Sequence, residues 1–377
     1  MATRKRTPGK AAEPEPIDPS AFPLPPPIEP MLAKVAEILP TQDGYLFEPK
    51  WDGFRSIVYR KGGSLYMQSR DLRPLDRYFP DLHEQLISIL PDSCVLDGEI
   101  VITTPNGLSF DLLQMRLHPA ASRVAKLAQA NPASFVAFDA LSLEDRDLRT
   151  EPQHERRRLL EQALAGVKPP VHLTPVTRDR ALAVEWLEHF EGAGLDGVIA
   201  KLESGRYEAG KRSMFKIKHA RTADCVVAGF RWHKNGPNEL VGSLLLGLYD
   251  GEGALQHVGV TSSFNMQRRK ELASELAPLR EGALDAHPWK DWASAGESDG
   301  RMPGGQSRWS AGKDLSWEPL RIERVAEVKY DHLQGDRFRH AATFLRWRPD
   351  KPTSDCRYDQ LEVTTPFELE KVFGARG

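Results

Sequence analysis

The alternation of apolar and polar residues predicts short strands and amphipathic helices over the first 220 residues. Residues 56–61 and 64–69 alternate and flank Gly62-Gly63, a pair typical of a two-residue hairpin turn. Clusters of apolar and β-branched residues predict further strands at 94–102, 134–141, 171–176 and 197–202. Apolar residues at helical spacing predict helices at 77–90, 110–127, 155–165 and 181–191. Hairpins mixed with helices indicate an α+β fold with antiparallel sheets.

The pattern changes near residue 221, where strands dominate. They are predicted at 223–232, 242–249, 255–262, 325–332 and 344–347, with one helix at 265–280. This layout fits a closed β-barrel of the OB type, and a six-strand sandwich is the alternative. The stretch 289–309, rich in glycine, serine and aspartate, is predicted to be a surface loop. We therefore expect a first domain at 29–220, an OB-fold domain at 221–353 and a C-terminal extension at 354–377.

The first 28 residues differ in composition from both predicted domains. Nine prolines occur before residue 31, together with a basic cluster at Arg4, Lys5, Arg6 and Lys10. Almost no apolar periodicity accompanies them, so the segment lacks the surface that a folded core requires. We predict a disordered, proline-rich basic tail over residues 1–28.

Composition and charge narrow the class of protein. The 377-residue chain is 40% hydrophobic and 28% charged, which is typical of a globular protein. Its formal net charge of −2 argues against a protein that coats nucleic acid by charge alone. Cys94, Cys225 and Cys356 lie far apart, which excludes a disulfide framework or a zinc finger. No apolar run approaches the roughly 20 residues of a membrane span, so a cytoplasmic location is expected.

Lys50 is the candidate nucleophile. It stands in the segment Lys50-Trp51-Asp52-Gly53-Phe54-Arg55, immediately before an Asp-Gly turn and next to apolar residues. An amine attacks phosphorus only when it is unprotonated, and an apolar environment favours the neutral amine. A solvated lysine in an exposed turn is the alternative interpretation.

The segment 50–55 resembles motif I of the covalent nucleotidyltransferases, which include ATP-dependent DNA ligases, RNA ligases and mRNA capping enzymes. The other motifs of that superfamily follow in order: Ser69-Arg70 resembles motif Ia, 96–101 motif III, 135–139 motif IIIa, 196–201 motif IV, 214–218 motif V and 346–351 motif VI. From about residue 29 onward the chain is similar to the bacterial ATP-dependent DNA ligases of the C type. It also resembles the ligase module of a multifunctional end-joining enzyme.

The resemblance implies a role for each motif residue. Lys50 carries AMP, Glu48 accepts the adenine amino group, and Phe138 stacks on adenine unless it is only a core residue. Arg55 and Arg70 contact ribose and phosphates. The remaining nucleotide-binding candidates are Trp51, Glu99, Arg212, Lys216, Lys218, Arg348 and Lys351. Lys216 and Lys218 would neutralise the α-phosphate, and motif VI would orient pyrophosphate as its domain moves over the first. An exposed charged pair remains the alternative for Arg212.

Two carboxylates are candidate ligands for Mg²⁺ or Mn²⁺. Glu99 lies in an apolar strand, where an unpaired carboxylate would be costly. Asp196 occupies the position at which most members of the family have glutamate. Both residues supply the hard oxygen ligands that these ions prefer. A turn residue at the beginning of a strand is the alternative interpretation of Asp196.

The reaction that the resemblance implies has three steps: adenylylation of Lys50 by ATP, transfer of AMP to a 5′-phosphate, and attack by a 3′-hydroxyl that seals the strand. Nicked or broken duplex DNA is the expected substrate, in DNA repair or end joining. An RNA-directed nucleotidyltransferase and a non-enzymatic DNA-binding module are the alternatives. The family also implies a Ku-like end-binding partner, separate polymerase and phosphoesterase proteins, a monomeric state and association with the bacterial nucleoid.

Overall fold

The computed structural model describes residues 18–105, 107–218, 221–290, 316–331, 333–361 and 367–374. These residues form two compact units. Unit 1 comprises the described residues before 220 together with those after 363, and unit 2 comprises the described residues between 220 and 363. Within these ranges, no helix combines the length and the apolar character that crossing a membrane requires.

Two sheets form the framework of unit 1. Their strands are β1 (Leu32–Ala36), β2 (Tyr45–Pro49), β3 (Phe54–Lys61), β4 (Ser64–Ser69), β5 (Ser93–Thr104), β6 (Gly107–Leu108), β7 (Ala133–Leu143), β8 (Arg146–Asp147), β9 (Val171–Leu173), β10 (Val198–Leu202) and β11 (Arg212–Ile217). The smaller sheet has the order β1-β11-β10-β2. The larger has the order β4-β3-β5-β7-β8, with β6 beside β5 and β9 beside β7. Only β1–β11 and β7–β9 are parallel among the strand pairs described in unit 1.

Helices cover the larger sheet of unit 1. They are α1 (Pro80–Ile89), α2 (Phe110–Met115), α3 (Ala121–Ala130) and α4 (Gln153–Ala163), whereas α5 (Arg180–His189) packs on β2 and β10 of the smaller sheet. Leu82 and Leu86 of α1 and Leu160 of α4 are fully buried in the same apolar cluster as strand residues of the larger sheet. The predicted single helix over 110–127 is wrong, because α2 and α3 are separate. Pro119 lies between them, and proline lacks the N–H that a continuous helix needs.

The predicted disordered tail is too long. Phe22, Leu24 and Ile28 are each only 6% exposed and belong to one apolar cluster with strand residues of unit 1. The Ile28 N–H donates to Gln68 Oε1 (3.0 Å), and Gln68 Nε2 donates to the Ile28 carbonyl (2.6 Å). Residues 18–28 are therefore part of unit 1, and 1–17 lie outside the described residues. Three apolar side chains anchor the segment despite its many prolines, because burying each of them stabilises the folded state by about 1.5–3 kcal/mol.

Unit 2 confirms the predicted OB fold. Its elements are β12 (Arg221–His233), β13 (Gly236–Tyr249), β14 (Leu255–Thr261), α6 (Met266–Leu276), β15 (Glu318–Pro319), β16 (Val325–Tyr330), β17 (Leu333–Gln334), β18 (Arg337–Phe338) and β19 (Thr343–Trp347). The main sheet has the order β14-β13-β12-β16-β19. The Ala342 N–H donates to the Val260 carbonyl (2.8 Å) and joins the two edges. A closed barrel, rather than a sandwich, is the result.

The predicted surface loop begins too early. Trp289 is fully buried, and its indole N–H donates to the Leu255 carbonyl (2.6 Å) in the barrel core. Residues 291–309 lie outside the described residues. The loop is predicted from the glycine-rich residues after Trp289, and that composition gives no indication that Trp289 itself is part of the barrel core.

A C-terminal helix returns to unit 1. Helix α7 (Leu369–Gly374) buries Leu369 and Val372 in an apolar cluster of that unit. The Phe373 ring stacks on the indole of Trp51, with centroids 5.1 Å apart and planes 18° apart. The described end of the predicted C-terminal extension therefore packs beside motif I.

Removing an anchor of the N-terminal segment should destabilise unit 1. We expect Leu24→Ala to lower the free energy of unfolding by about 2–4 kcal/mol, since it empties a buried apolar site. Leu117→Ala is the matched control: Leu117 is 37% exposed, and its truncation should cost about 0.5 kcal/mol or less. Denaturant unfolding checks both variants. Equal stabilities would contradict the packed position of residues 18–28.

Candidate active site

A pair of backbone hydrogen bonds holds Lys50 in place. Lys50 follows the end of β2, and its N–H donates to the Gly197 carbonyl (2.8 Å). The Asp196 N–H donates in return to the Lys50 carbonyl (2.9 Å). Gly197 has φ +117°, and a Cβ there would lie 2.1 Å from the Ile217 carbonyl oxygen. Only glycine fits this turn, which ties motif I to motif IV.

The side chain of Lys50 lies in a group of cations that we call the cation cluster: Arg70, Lys50, Lys216 and Lys218. Lys50 Nζ forms an ion pair with Asp196 Oδ2, and Lys218 Nζ lies 3.0 Å from the same oxygen. Burial, followed by the positive charges of Lys50, Lys218 and Arg70, lowers the pKa of Lys216. Four cations that lie close together, two of them paired with Asp196, make a site suited to a polyanion.

Two carboxylates border the cation cluster. Burial alone would raise the pKa of Asp196, but the ammonium groups of Lys50 and Lys218 lower it below its usual value. Burial raises the pKa of Glu99 to about 8 despite the opposing charges of Lys50 and Arg55. Glu99 Oε1 accepts a hydrogen bond from the Gly53 N–H (3.2 Å).

Glu99 and Asp196 fit a divalent cation that takes only two ligands from the protein and the others from water and phosphate. No group of three His, Cys, Asp or Glu residues in the described ranges could hold a metal by itself. A magnesium-type ion commonly binds through one or two carboxylates and takes its remaining ligands from water and phosphate. Glu99 and Asp196 supply oxygen donors of that kind beside a cluster suited to phosphate.

Arg55 is oriented by a partner that the sequence analysis did not single out. Its guanidinium donates to both oxygens of Asp97 (3.0 and 2.6 Å), which is fully buried and also accepts from Tyr207 Oη (2.6 Å). The same guanidinium lies 5.3 Å from the ring centroid of Phe138. The charge of Asp97, in an otherwise apolar strand, was the signal that a buried cation must face it.

Glu48 and Phe138 come together through a second overlooked residue. Lys201 Nζ lies 2.8 Å from Glu48 Oε1 and donates to the Phe138 carbonyl (3.2 Å). Burial raises the pKa of Glu48, and the Lys201 charge opposes that effect. Phe138 is only 9% exposed and belongs to an apolar cluster of unit 1, as expected for a core residue.

Trp51 and Arg212, two of the predicted nucleotide-binding residues, have side chains that contact protein groups outside the cation cluster. The Trp51 indole is buried, donates to Thr174 Oγ1 (2.8 Å) and packs on Phe373, which supports a packing role for its side chain. Arg212 lies at the exposed beginning of β11, where it donates to the Ala33 carbonyl (3.0 Å). Four residues of strand, roughly 13 Å, separate Arg212 from Lys216. The structure does not bring Arg212 into the cation cluster.

The motif VI residues lie in unit 2 and share one partner. Arg348 Nη1 and Lys351 Nζ each lie 2.9 Å from the carboxylate of Asp224 on β12. Arg348 also pairs with Asp350, and these contacts raise its pKa, the Asp350 hydrogen bond contributing most. Asp224 therefore fixes the side chains of both motif VI cations. Like Asp97, it is an aspartate within an apolar strand.

Comparisons with known proteins find matching family models and similar relatives over most of the chain. Residues 30–218 match the model of the ATP-dependent DNA ligase domain, and residues 237–351 match that of the ATP-dependent DNA ligase C-terminal region. The chain is 54% identical to DNA ligase C2 of Mycolicibacterium smegmatis, over 90% of this chain and 96% of that protein. It is 30% identical to the multifunctional non-homologous end joining protein LigD of Mycobacterium bovis, over 87% of this chain and 39% of that protein.

A solved structure agrees on the fold. A Lig E DNA ligase, from a study of DNA binding with a minimal scaffold, superposes with a TM-score of 0.50 over 84% of this chain and 99% of that one. Its sequence is 17% identical, so the likeness concerns the fold alone.

Filling the space at Gly197 should displace Lys50 and Asp196. We expect Gly197→Ala to slow covalent labelling by radioactive ATP at least about tenfold, because an added Cβ meets the Ile217 carbonyl and a left-handed backbone costs roughly 1–2 kcal/mol. Gly63→Ala is the matched control, since its Cβ would have nothing within 4 Å. Comparable labelling rates in the two variants would contradict the role of the Gly197 turn.

Proposed function

The chain belongs to the ATP-dependent DNA ligases, and we propose that Lys50 is the residue through which it transfers AMP. The observation that supports this proposal is the position of Lys50 in the cation cluster, beside Lys216 and Lys218. A nucleophile that attacks a triphosphate must approach a strongly anionic group, and three further cations stand where that charge would be neutralised.

The first chemical step is attack by Lys50 Nζ on the α-phosphorus of ATP. The ammonium of Lys50 first gives a proton to water. The neutral amine then forms the N–P bond as the P–O bond to pyrophosphate breaks, and a second proton passes from the new N–P nitrogen to water. AMP then passes to a 5′-phosphate, which frees Lys50, and a 3′-hydroxyl displaces AMP as the strand is sealed. Lys216, Lys218 and Arg70 stabilise the phosphate charge during the first step, while Arg55 contacts the nucleotide from its fixed position on Asp97.

We propose that Glu48 and Phe138 bind the base and that Arg348 and Lys351 add nucleotide contacts. Glu48 accepts from an exocyclic amino group, and the ring of Phe138 stacks on the base. Arg212 is a weaker candidate, since its guanidinium is engaged with the Ala33 carbonyl. Trp51 contributes by packing motif I against α7.

Glu99 and Asp196 are the proposed ligands of Mg²⁺ or Mn²⁺. The ion would offset negative charge on the phosphates when it is bound. Both residues are carboxylates whose ionisation is influenced by the charge of Lys50, so both lie close to the proposed reaction. The shorter side chain of Asp196 is already engaged by Lys50 and Lys218.

Broken duplex DNA is the proposed substrate in the cell, in repair or end joining. The similarity to DNA ligase C2 and to LigD supports this proposal. A Ku-like end-binding protein, separate polymerase and phosphoesterase proteins, and association with the nucleoid are the corresponding proposals for its partners and location. A monomer suffices for the chemistry described.

Replacing the nucleophile should abolish the covalent intermediate. We expect Lys50→Ala to give no acid-labile, base-stable label from [α-³²P]ATP, because no other amine occupies its position. Lys61→Ala is the matched control: Lys61 also pairs with an aspartate, Asp145, but at an exposed site, and its loss should leave labelling unchanged. Label retained by Lys50→Ala would refute the proposed nucleophile.

Matched nicks distinguish DNA ligation from the RNA-directed alternative. The adenylylated protein, given either a nicked DNA duplex or the same sequence as RNA, should seal the DNA. A gel assay of product length measures both. Sealing of the RNA nick with no product from DNA would favour an RNA-directed nucleotidyltransferase, and sealing of neither would indicate that the adduct serves another acceptor.

A further inference from the structure

Glu48 and Lys201 form a buried ion pair within the smaller sheet of unit 1. In the β2–β10 ladder Glu48 lies opposite Ile199, so Lys201, two residues further, projects from the same face. The two side chains are almost fully enclosed, at 5% and 3% residue exposure, and their charged atoms are 2.8 Å apart. A buried ion pair of this kind strongly constrains both side chains, because separating the charges inside the protein is costly.

Lys201 also contacts the aromatic residue on the opposite sheet. Its ammonium donates to the Phe138 carbonyl (3.2 Å) and lies 4.8 Å from the centroid of the Phe138 ring. That distance is within the range of a cation–π contact. One lysine therefore connects the two residues that are proposed to hold the base, one from each sheet.

The other charges around Glu48 have partners of their own. Arg157 is engaged by Glu161 (2.6 Å) and by the Thr174 carbonyl (2.8 Å). Asp139 is held by Arg156 through two hydrogen bonds (2.8 and 3.0 Å). Burial and the charge of Asp139 raise the pKa of Glu48, whereas Lys201, and less strongly Arg157, lower it. Lys201 is thus the principal group that favours the ionised form of this carboxylate.

The ionisation state of Glu48 decides which purine it can recognise. An ionised carboxylate only accepts hydrogen bonds, whereas a protonated one also donates. Adenine presents an amino group at position 6, a donor, and guanine presents a carbonyl oxygen there, an acceptor. A carboxylate kept ionised favours adenine and repels the guanine carbonyl, and a protonated one loses that discrimination.

We propose that Lys201 is a positioning residue that keeps Glu48 ionised and fixed, and thereby makes the site select ATP over GTP. The inference rests on the proposed contact between Glu48 and the base. The selectivity then depends on the buried Glu48–Lys201 pair, which forms before the nucleotide binds. Lys201 does not contact the base itself but acts through Glu48.

The test measures kcat/KM for covalent adduct formation with ATP and with GTP. In Lys201→Met, we expect the ATP preference at pH 7 to fall about tenfold or more, because a buried glutamate without its partner takes up a proton. The preference should recover as the pH rises towards about 9, where such a carboxylate ionises. The unaltered protein should keep a constant preference over this range. A constant, undiminished ATP preference in Lys201→Met would overturn the inference.

Lys34→Met is the matched control for Lys201→Met. It also removes an ammonium from an aromatic face, 4.4 Å from the Phe215 ring centroid, but at an exposed position of β1. Its ATP preference should equal that of the unaltered protein at every pH. A loss of preference in Lys34→Met as large as that in Lys201→Met would overturn the assignment to Lys201.

Glu48→Gln separates the inference from the proposal on which it rests. If Glu48→Gln leaves the ATP preference unchanged, the proposed contact with the base is wrong. If Glu48→Gln alters the preference and Lys201→Met does not, only the role of Lys201 is wrong. The double variant Glu48→Gln/Lys201→Met leaves no uncompensated buried charge, so it remains informative even if Lys201→Met fails to fold. It should match Glu48→Gln in preference, and a further change would overturn the inference.

Discussion

The cost of burying charge is the constraint on which the organisation of unit 1 depends. An ionised side chain inside a protein loses several kilocalories per mole of hydration, which only a close partner offsets. Three buried acidic residues, Glu48, Asp97 and Asp139, each face a basic residue on another segment of the chain. Each pair therefore fixes the relative position of two segments, and a shift of either would leave a charge unpaired.

These pairs place the groups that are proposed to handle the nucleotide. The Arg55–Asp97 pair orients a guanidinium, and the Glu48–Lys201 pair orients a carboxylate. The cation of each pair lies close to the Phe138 ring. The Gly197 turn then sets Lys50 against Asp196. The near-zero net charge of the chain hides this arrangement, because positive charge collects locally at the cation cluster while acidic residues elsewhere balance the total.

The sequence predicted the α+β framework and the OB barrel, because the periodicity of apolar residues is a local signal. It predicted less well where a few residues outweigh composition: Phe22, Leu24 and Ile28 pack despite their prolines, and Trp289 closes a core at the edge of a glycine-rich stretch. The partners Asp97, Lys201 and Asp224 were missed for another reason. A charged residue in an apolar strand predicts that an oppositely charged partner lies nearby. The identity of that partner depends on how strands distant in sequence pair, which the local sequence does not specify.

The central claim is that the buried pairs preorganise the nucleotide site, and a crystal structure of the protein adenylylated on Lys50 tests it most directly. The account predicts AMP with its phosphate among Lys50, Lys216 and Lys218, its base against Phe138, and an unchanged Glu48–Lys201 separation close to 2.8 Å. A base bound away from Phe138, or a Glu48–Lys201 pair that has opened in the adduct, would contradict it.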